Sequence, residues 1–266
     1  MDREMNSSVQ QVLVIEIGNT RTTMAIVTGE RCHPVRQWQT VVLGTEAAAR
    51  AALEEFLAHA PAVQAAVLCS VVPLHAGLFL PLLGARFQGR VAEVTGSMPL
   101  PFRLTYNSPE SIGADRVALM AFAAERFPGK SVIAVDIGTA ITFDVLDAAR
   151  RYLGGMILPG IDLMSASLGE RTARLPRVEV RDGATLLGTS TEACIRSGIY
   201  WGSVKQVEGI LAELLQLPGF EGDSDSPAVL LTGGNSALLG AALSVPVVID
   251  PHAVLKGAAL LSDVRP

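Results

Sequence analysis

VLVIEIGNTRTTMAIV, residues 12–27, has a counterpart in SVIAVDIGTAITFDVLD, residues 131–147. Each begins as a short apolar run of β type that ends in an acid. One apolar residue, a glycine and a polar residue follow, and then a return run. Glu16 matches Asp136, and Gly18 matches Gly138. The spacing predicts two β-hairpins, each opening one of two similar halves. Two β-rich α/β lobes facing a shared cleft are the expected architecture.

Outward from the first hairpin, a third β run is expected near 35–42 and a helix over 45–59 N-capped by Thr45. A buried strand at 64–72 stops at Pro73, followed by a helix near 74–86 and a strand at 90–95. Pro99 and Pro101 mark a seam. The division expected is a polar extension over 1–11, an N-terminal lobe over 12–110 and a C-terminal lobe over 111–266. The second half holds a helix near 111–126 and runs at 131–136, 141–147 and 151–158. Helices at 160–172 and 189–216, a strand at 228–232, a short helix, a strand at 246–249 and a helix at 253–263 complete it.

Composition narrows the function. Apolar residues make up 49% and charged residues 18% of 266, an ordinary globular balance. The formal charge is −5, with no Lys/Arg block to track a phosphodiester backbone, so no nucleic-acid partner is expected. Cys32, Cys69 and Cys194 form neither a C-x-x-C pair nor a disulfide framework, which fits a reducing compartment. The start, MDREMNSSVQQ, lacks the apolar core of a signal peptide, and no apolar run is long enough to span a bilayer. The expectation is a cytoplasmic protein with no membrane partner. His33, His59, His75 and His252 have no metal-ligand spacing, and Asp223 and Asp225 sit in a polar loop.

The two hairpins point to phosphate chemistry. A turn such as Gly18-Asn19-Thr20 can aim backbone N–H groups at an anion, with Thr20, Thr22 and Thr23 as further donors. Glu16 at the strand end can hold Mg²⁺. A single such turn equally fits a plain hairpin. The turn Thr232-Gly233-Gly234-Asn235 suits close approach of a nucleotide, and equally a glycine-rich strand-to-helix link. Asp115 beside Arg116 offers a carboxylate to take a hydroxyl proton and a cation to hold an anionic substrate. The same pair also fits a helix-start acid with a surface arginine. No P-loop and no dinucleotide fingerprint occurs.

The ordered set is E-I-G-N-T at 16–20, Y-N-S-P at 106–109, G-A-D-R at 113–116 and D-I-G-T-A at 136–140. It continues with G-G-M-I-L-P-G at 154–160, L-P-R at 175–177, G-T-S-T at 188–191 and T-G-G at 232–234. From about residue 12 to about 260 it resembles the type III pantothenate kinases. The resemblance implies two actin-like, ribonuclease H-like lobes of mixed sheet flanked by helices, with the active site in the cleft. It implies ATP-dependent phosphorylation of pantothenate, the first step of coenzyme A synthesis.

By the same resemblance, Glu16, Ile17, Gly18, Asn19, Thr20, Arg21, Thr22 and Thr23 would cradle the phosphates of ATP, with Thr139, Gly233 and Gly234 also at the nucleotide. Asp115 would be the general base. Gly113, Ala114, Asp115 and Arg116 would line the pantothenate pocket, closed by Tyr106 and Thr191. Asp136 would hold a monovalent cation, K⁺ or NH₄⁺, beside the Mg²⁺ assigned to Glu16. A homodimer is implied, which the apolar face of 189–216 would suit. One position departs from the family, whose first strand ends in Asp where this chain has Glu16. That departure leaves a catalytically weakened ligand-binding or regulatory relative as the alternative. A different small-molecule kinase or phosphatase of the same fold is the third reading.

Overall fold

Among the described residues, ten strands and seven α-helices arise because the apolar runs switch between a period of two and a period near 3.6 along the chain. The computed structural model describes residues 11–58, 63–217 and 226–263. His59, Asp223, Asp225 and the first ten residues of the polar extension fall outside the described residues.

By their contacts the described residues of Met1–Leu100, Ser108–Phe122 and Ala253–Pro266 group into one unit, and those of Pro101–Asn107 and Ala123–His252 into a second. The first unit is built on β1 (Val12–Ile17), β2 (Arg21–Thr28), β3 (Arg31–Gln39), β4 (Ala65–Ser70) and β5 (Val91–Glu93), in the order β3-β2-β1-β4-β5. β1 is antiparallel to β2 and parallel to β4. Leu13, Ile15 and Ile17 face one way, as period two requires. They pack with Phe56 of α1 (Glu46–Leu57) and Phe79 and Leu83 of α2 (Pro73–Phe87). The predicted cap holds, since Thr45 Oγ1 accepts the Ala48 N–H at 3.2 Å. Val14 and Glu16 face the other way. α3 (Ala114–Arg126) begins in this unit, and α7 (Ala253–Leu260) returns to it and packs on β1, β2 and β4.

The second unit repeats the sheet. β6 (Val132–Ile137), β7 (Ala140–Leu146), β8 (Tyr152–Pro159), β9 (Ala228–Thr232) and β10 (Val248–Ile249) run in the order β10-β9-β6-β7-β8. β6 is antiparallel to β7 and parallel to β9, as β1 is to β2 and β4. Ile133, Val135, Ile137, Phe143, Val229 and Leu231 share a core with Ile199, Val204, Val207 and Leu211 of α5 (Thr191–Leu214). α4 (Ile161–Arg171) and the short α6 (Ser236–Gly240) complete the unit. Both sheets are therefore mixed and flanked by helices.

Two local differences from the sequence reading have clear causes. The third strand ends at Gln39 rather than 42, because Thr40 leaves the ladder to open a 3-10 turn over Thr40–Leu43. The two hairpins coincide only as far as the glycine. Ile17 pairs with Thr22 but Ile137 with Ile141, so the second turn is one residue shorter. The apolar face of α5 is used within its own unit, and Tyr200 and Trp201 join that packing, with the Trp201 indole N–H donating to Ala184 O at 2.8 Å.

Candidate active site

In the first unit the site residues gather at the carboxyl ends of β1 and β4. Register sets Glu16 beside Cys69 on β4 and Thr23 on β2. Period two puts Glu16 and Cys69 on the same face. Burial pushes the Cys69 thiol well up, and the carboxylates of Glu16 and Asp115 push it further the same way. Two carboxylates from separate elements thus share one electrostatic neighbourhood around a buried, neutral sulfur.

Asp115 stands in the first turn of α3 and is half-buried. Its Oδ1 accepts the Arg116 N–H at 2.8 Å. Burial raises its pKa, and the Arg116 N–H and guanidinium counter this only in part. A carboxyl moved this way holds a proton more readily than a free one, as a general base for a hydroxyl must. Gly113 makes room for it, because a Cβ there would lie 2.5 Å from Asp115 Oδ1. Ala114 and Arg116 are buried.

The turn between β1 and β2 exposes Asn19, Thr20 and Arg21, with Gly18 half-buried and its N–H bonded to Arg21 O at 2.9 Å. Ile17, Thr22 and Thr23 are buried. The Thr22 hydroxyl meets Thr40 Oγ1 at 3.1 Å, and Thr23 Oγ1 accepts from Gln37 Nε2 at 3.4 Å. These two threonines support the turn from inside the sheet, while Asn19, Thr20 and Arg21 form its outer surface. Thr40 went unnoticed in the sequence because its contacts to Gly18 and Thr22 cross from one strand to another.

In the second unit Asp136 is the last residue but one of β6, flanked in register by Thr142 and Thr232. Gly233 has φ +87°, and a Cβ there would stand 2.2 Å from Asp136 Oδ1 and 2.7 Å from Ile137 O. Only glycine lets the turn after β9 close on this carboxylate. Asn235 N–H donates to Ile137 O at 3.0 Å, fastening that turn to β6. Gly160 lies as close to the hairpin turn, where a Cβ would fall 2.3 Å from Gly138 O and 2.4 Å from Thr139 O. Thr139 is exposed on that turn, and so is Gly234. Among the described residues no three His, Cys, Asp or Glu side chains gather as a metal cluster. A cation at Asp136 would be held by one carboxylate and neighbouring main-chain oxygens.

Tyr106 and Thr191 also belong to the second unit. The Tyr106 ring lies 6.1 Å from that of Tyr152, whose hydroxyl donates to the buried Asp144 at 2.8 Å. Thr191 is exposed at the first position of α5, next to the Ser190 cap that accepts the Ala193 N–H at 3.2 Å.

The family model for type III pantothenate kinase matches residues 12–213. The chain belongs to the type III pantothenate kinase family. The type III pantothenate kinase of Chlorobaculum parvum is 45% identical over 251 residues, covering 94% of this chain and 93% of that protein. That of Chlorobium luteolum is 41% identical over 265 residues, covering 100% and 98%. Among solved structures, a conserved Campylobacter jejuni protein described as a Baf family transcriptional activator superposes with a TM-score of 0.57 at 18% identity, covering 94% of this chain and 96% of that one. MreB 5 of Spiroplasma citri, bound to AMPPNP, gives 0.53 at 10% identity, covering 94% and 95%. At those identities the likeness is one of fold, and it identifies the two units of this type III pantothenate kinase family member as actin-like.

Proposed function

We propose that the protein transfers the γ-phosphoryl group of ATP to the primary hydroxyl of pantothenate, giving 4′-phosphopantothenate for coenzyme A synthesis. The observation that carries this reading is the match of residues 12–213 to this family, with Asp115 half-buried in the first turn of α3 and Gly113 making room for its carboxylate. In this reading Asp115 accepts the hydroxyl proton as the oxygen bonds phosphorus and ADP leaves. The half-buried surroundings of Asp115 keep water from competing for its carboxylate. Arg116, with Gly113 and Ala114, holds the pantothenate carboxylate side, and Tyr106 and Thr191 close the substrate pocket. The outer turn Gly18–Arg21, with Ile17, Thr22 and Thr23 behind it, presents N–H and side-chain donors to the phosphates. Thr139, Gly233 and Gly234 also serve the nucleotide.

Two cations are part of the reading. Mg²⁺ is characteristically bound through one or two carboxylates plus substrate phosphates, so Glu16 alone suffices on the protein side. At Asp136 the carboxylate, against which the bare Gly233 closes, is the group assigned to a monovalent cation, K⁺ or NH₄⁺. When bound, these ions neutralise the charge on the phosphates. No helix among the described residues is long and apolar enough to cross a membrane, and a cytoplasmic homodimer free of nucleic acid completes the proposal. The test is steady-state turnover of Asp115→Asn. A kcat near that of the wild type would remove Asp115 from the role of base.

A further inference from the structure

We propose that Thr40, braced by His75, is the positioning residue that fixes the peptide orientation of the phosphate turn. The proposal rests on the phosphate reading of Gly18–Arg21 given above and adds the device that holds that turn.

Every polar atom of Thr40 is engaged. Its hydroxyl donates to Gly18 O at 2.7 Å. A hydroxyl has one proton, so the contact with Thr22 Oγ1 at 3.1 Å is donated by Thr22. The Thr40 N–H donates to Thr20 O at 3.0 Å. The Thr40 carbonyl accepts from His75 Nε2 at 2.9 Å. Both turn carbonyls that Thr40 reaches, those of Gly18 and Thr20, are thereby drawn to one side. In a trans peptide the N–H points opposite to the C=O of the same plane. Fixing Gly18 O on Thr40 therefore aims the Asn19 N–H away from Thr40. The turn is anchored from one side so that it can present a donor on the other.

His75 extends the anchor to α2. A carbonyl only accepts, so Nε2 carries the proton, and Nδ1 is left as a buried acceptor with no hydrogen-bond partner. Leaving a buried polar atom unsatisfied costs stability. An apolar side chain would avoid that cost. What the imidazole supplies in return is the single bond to Thr40. Thr40 and His75 are 2% and 7% exposed, so water does not replace these bonds.

Two measurements on the full chain test this. The first is hydrogen exchange over residues 17–22 in ligand-free protein. The second is the dissociation constant for AMPPNP by calorimetry, with Mg²⁺, beside that for pantothenate. Thr40→Val, which removes the hydroxyl, is expected to speed exchange in the turn and weaken AMPPNP about tenfold. Pantothenate affinity should not move. Thr40→Ser, which restores the hydroxyl, should return both readouts close to wild type. His75→Leu, which leaves the turn untouched in sequence, should speed the same exchange, and it carries the test if Thr40→Val does not fold. Wild-type exchange and wild-type AMPPNP affinity in Thr40→Val, or in His75→Leu in its place, would overturn the proposal. A wild-type protein that binds no AMPPNP would instead overturn the phosphate reading beneath it, and the exchange arm would still decide whether Thr40 holds the turn.

Discussion

Asp115 is where structure and chemistry pull in opposite directions. Burial raises its pKa against the N–H and charge of Arg116. A carboxyl raised on folding contributes stability that is complete below its unfolded pKa, ~3.9, and is lost as pH rises through its folded value. At neutral pH the ionised group is therefore a burden on the fold. Asp115→Asn is expected to raise the melting temperature at pH 7, with the gain shrinking toward pH 4, while kcat falls about 10²- to 10⁴-fold. Thermal melts across that range, beside turnover, check both signs. For the same reason the acidic limb of kcat/KM should sit above the ordinary aspartate value. Glu16 raises a different question. If the longer side chain is the working one here, Glu16→Asp leaves kcat the same or lower. A rise of tenfold or more would show that the native Glu weakens the enzyme.

The elements were largely legible before the structure, and the reasons are local. Apolar runs of period two ended by an acid and a glycine gave β1, β2, β6 and β7, and Thr45 announced α1. The candidate acids Glu16, Asp115 and Asp136 were legible by type and motif. What escaped depends on contacts far apart in sequence. Thr40 reaches Gly18 across 22 positions and His75 across 35. The one-residue difference between the two turns shows only in strand register. The seating of α7 was also invisible, because it depends on a glycine meeting a carbonyl on another helix. A Cβ on Gly257 would fall 1.8 Å from Ala118 O. Gly257→Ala should cost about 1–3 kcal/mol by overpacking, read from denaturant unfolding. At the end of β9, Gly233→Ala should displace Asp136 and raise the K⁺ concentration needed for half-maximal rate, with a smaller effect on the KM for pantothenate.

At the scale of the whole molecule, one sheet plan is used twice, with Glu16 and Asp136 each one residue before the end of the equivalent strands. The chain does not simply place one plan after the other, since residues 253–263 return to the first sheet. Charge also ties distant parts of the second unit. Lys205, then the Ser244 hydroxyl and N–H, hold Glu208 at about 2. This contribution is present above the unfolded glutamate value of ~4.3 and is lost as pH falls toward about 2. Glu208→Gln should therefore lower the melting temperature at pH 7, with the difference narrowing in acid. The central claim is the phosphorylation of pantothenate, and it is tested most directly by ATP consumption by the purified protein with pantothenate, Mg²⁺ and K⁺, against controls lacking pantothenate or K⁺. The account predicts turnover that requires all of them. ADP release independent of pantothenate, or no turnover although pantothenate raises the melting temperature, would contradict it.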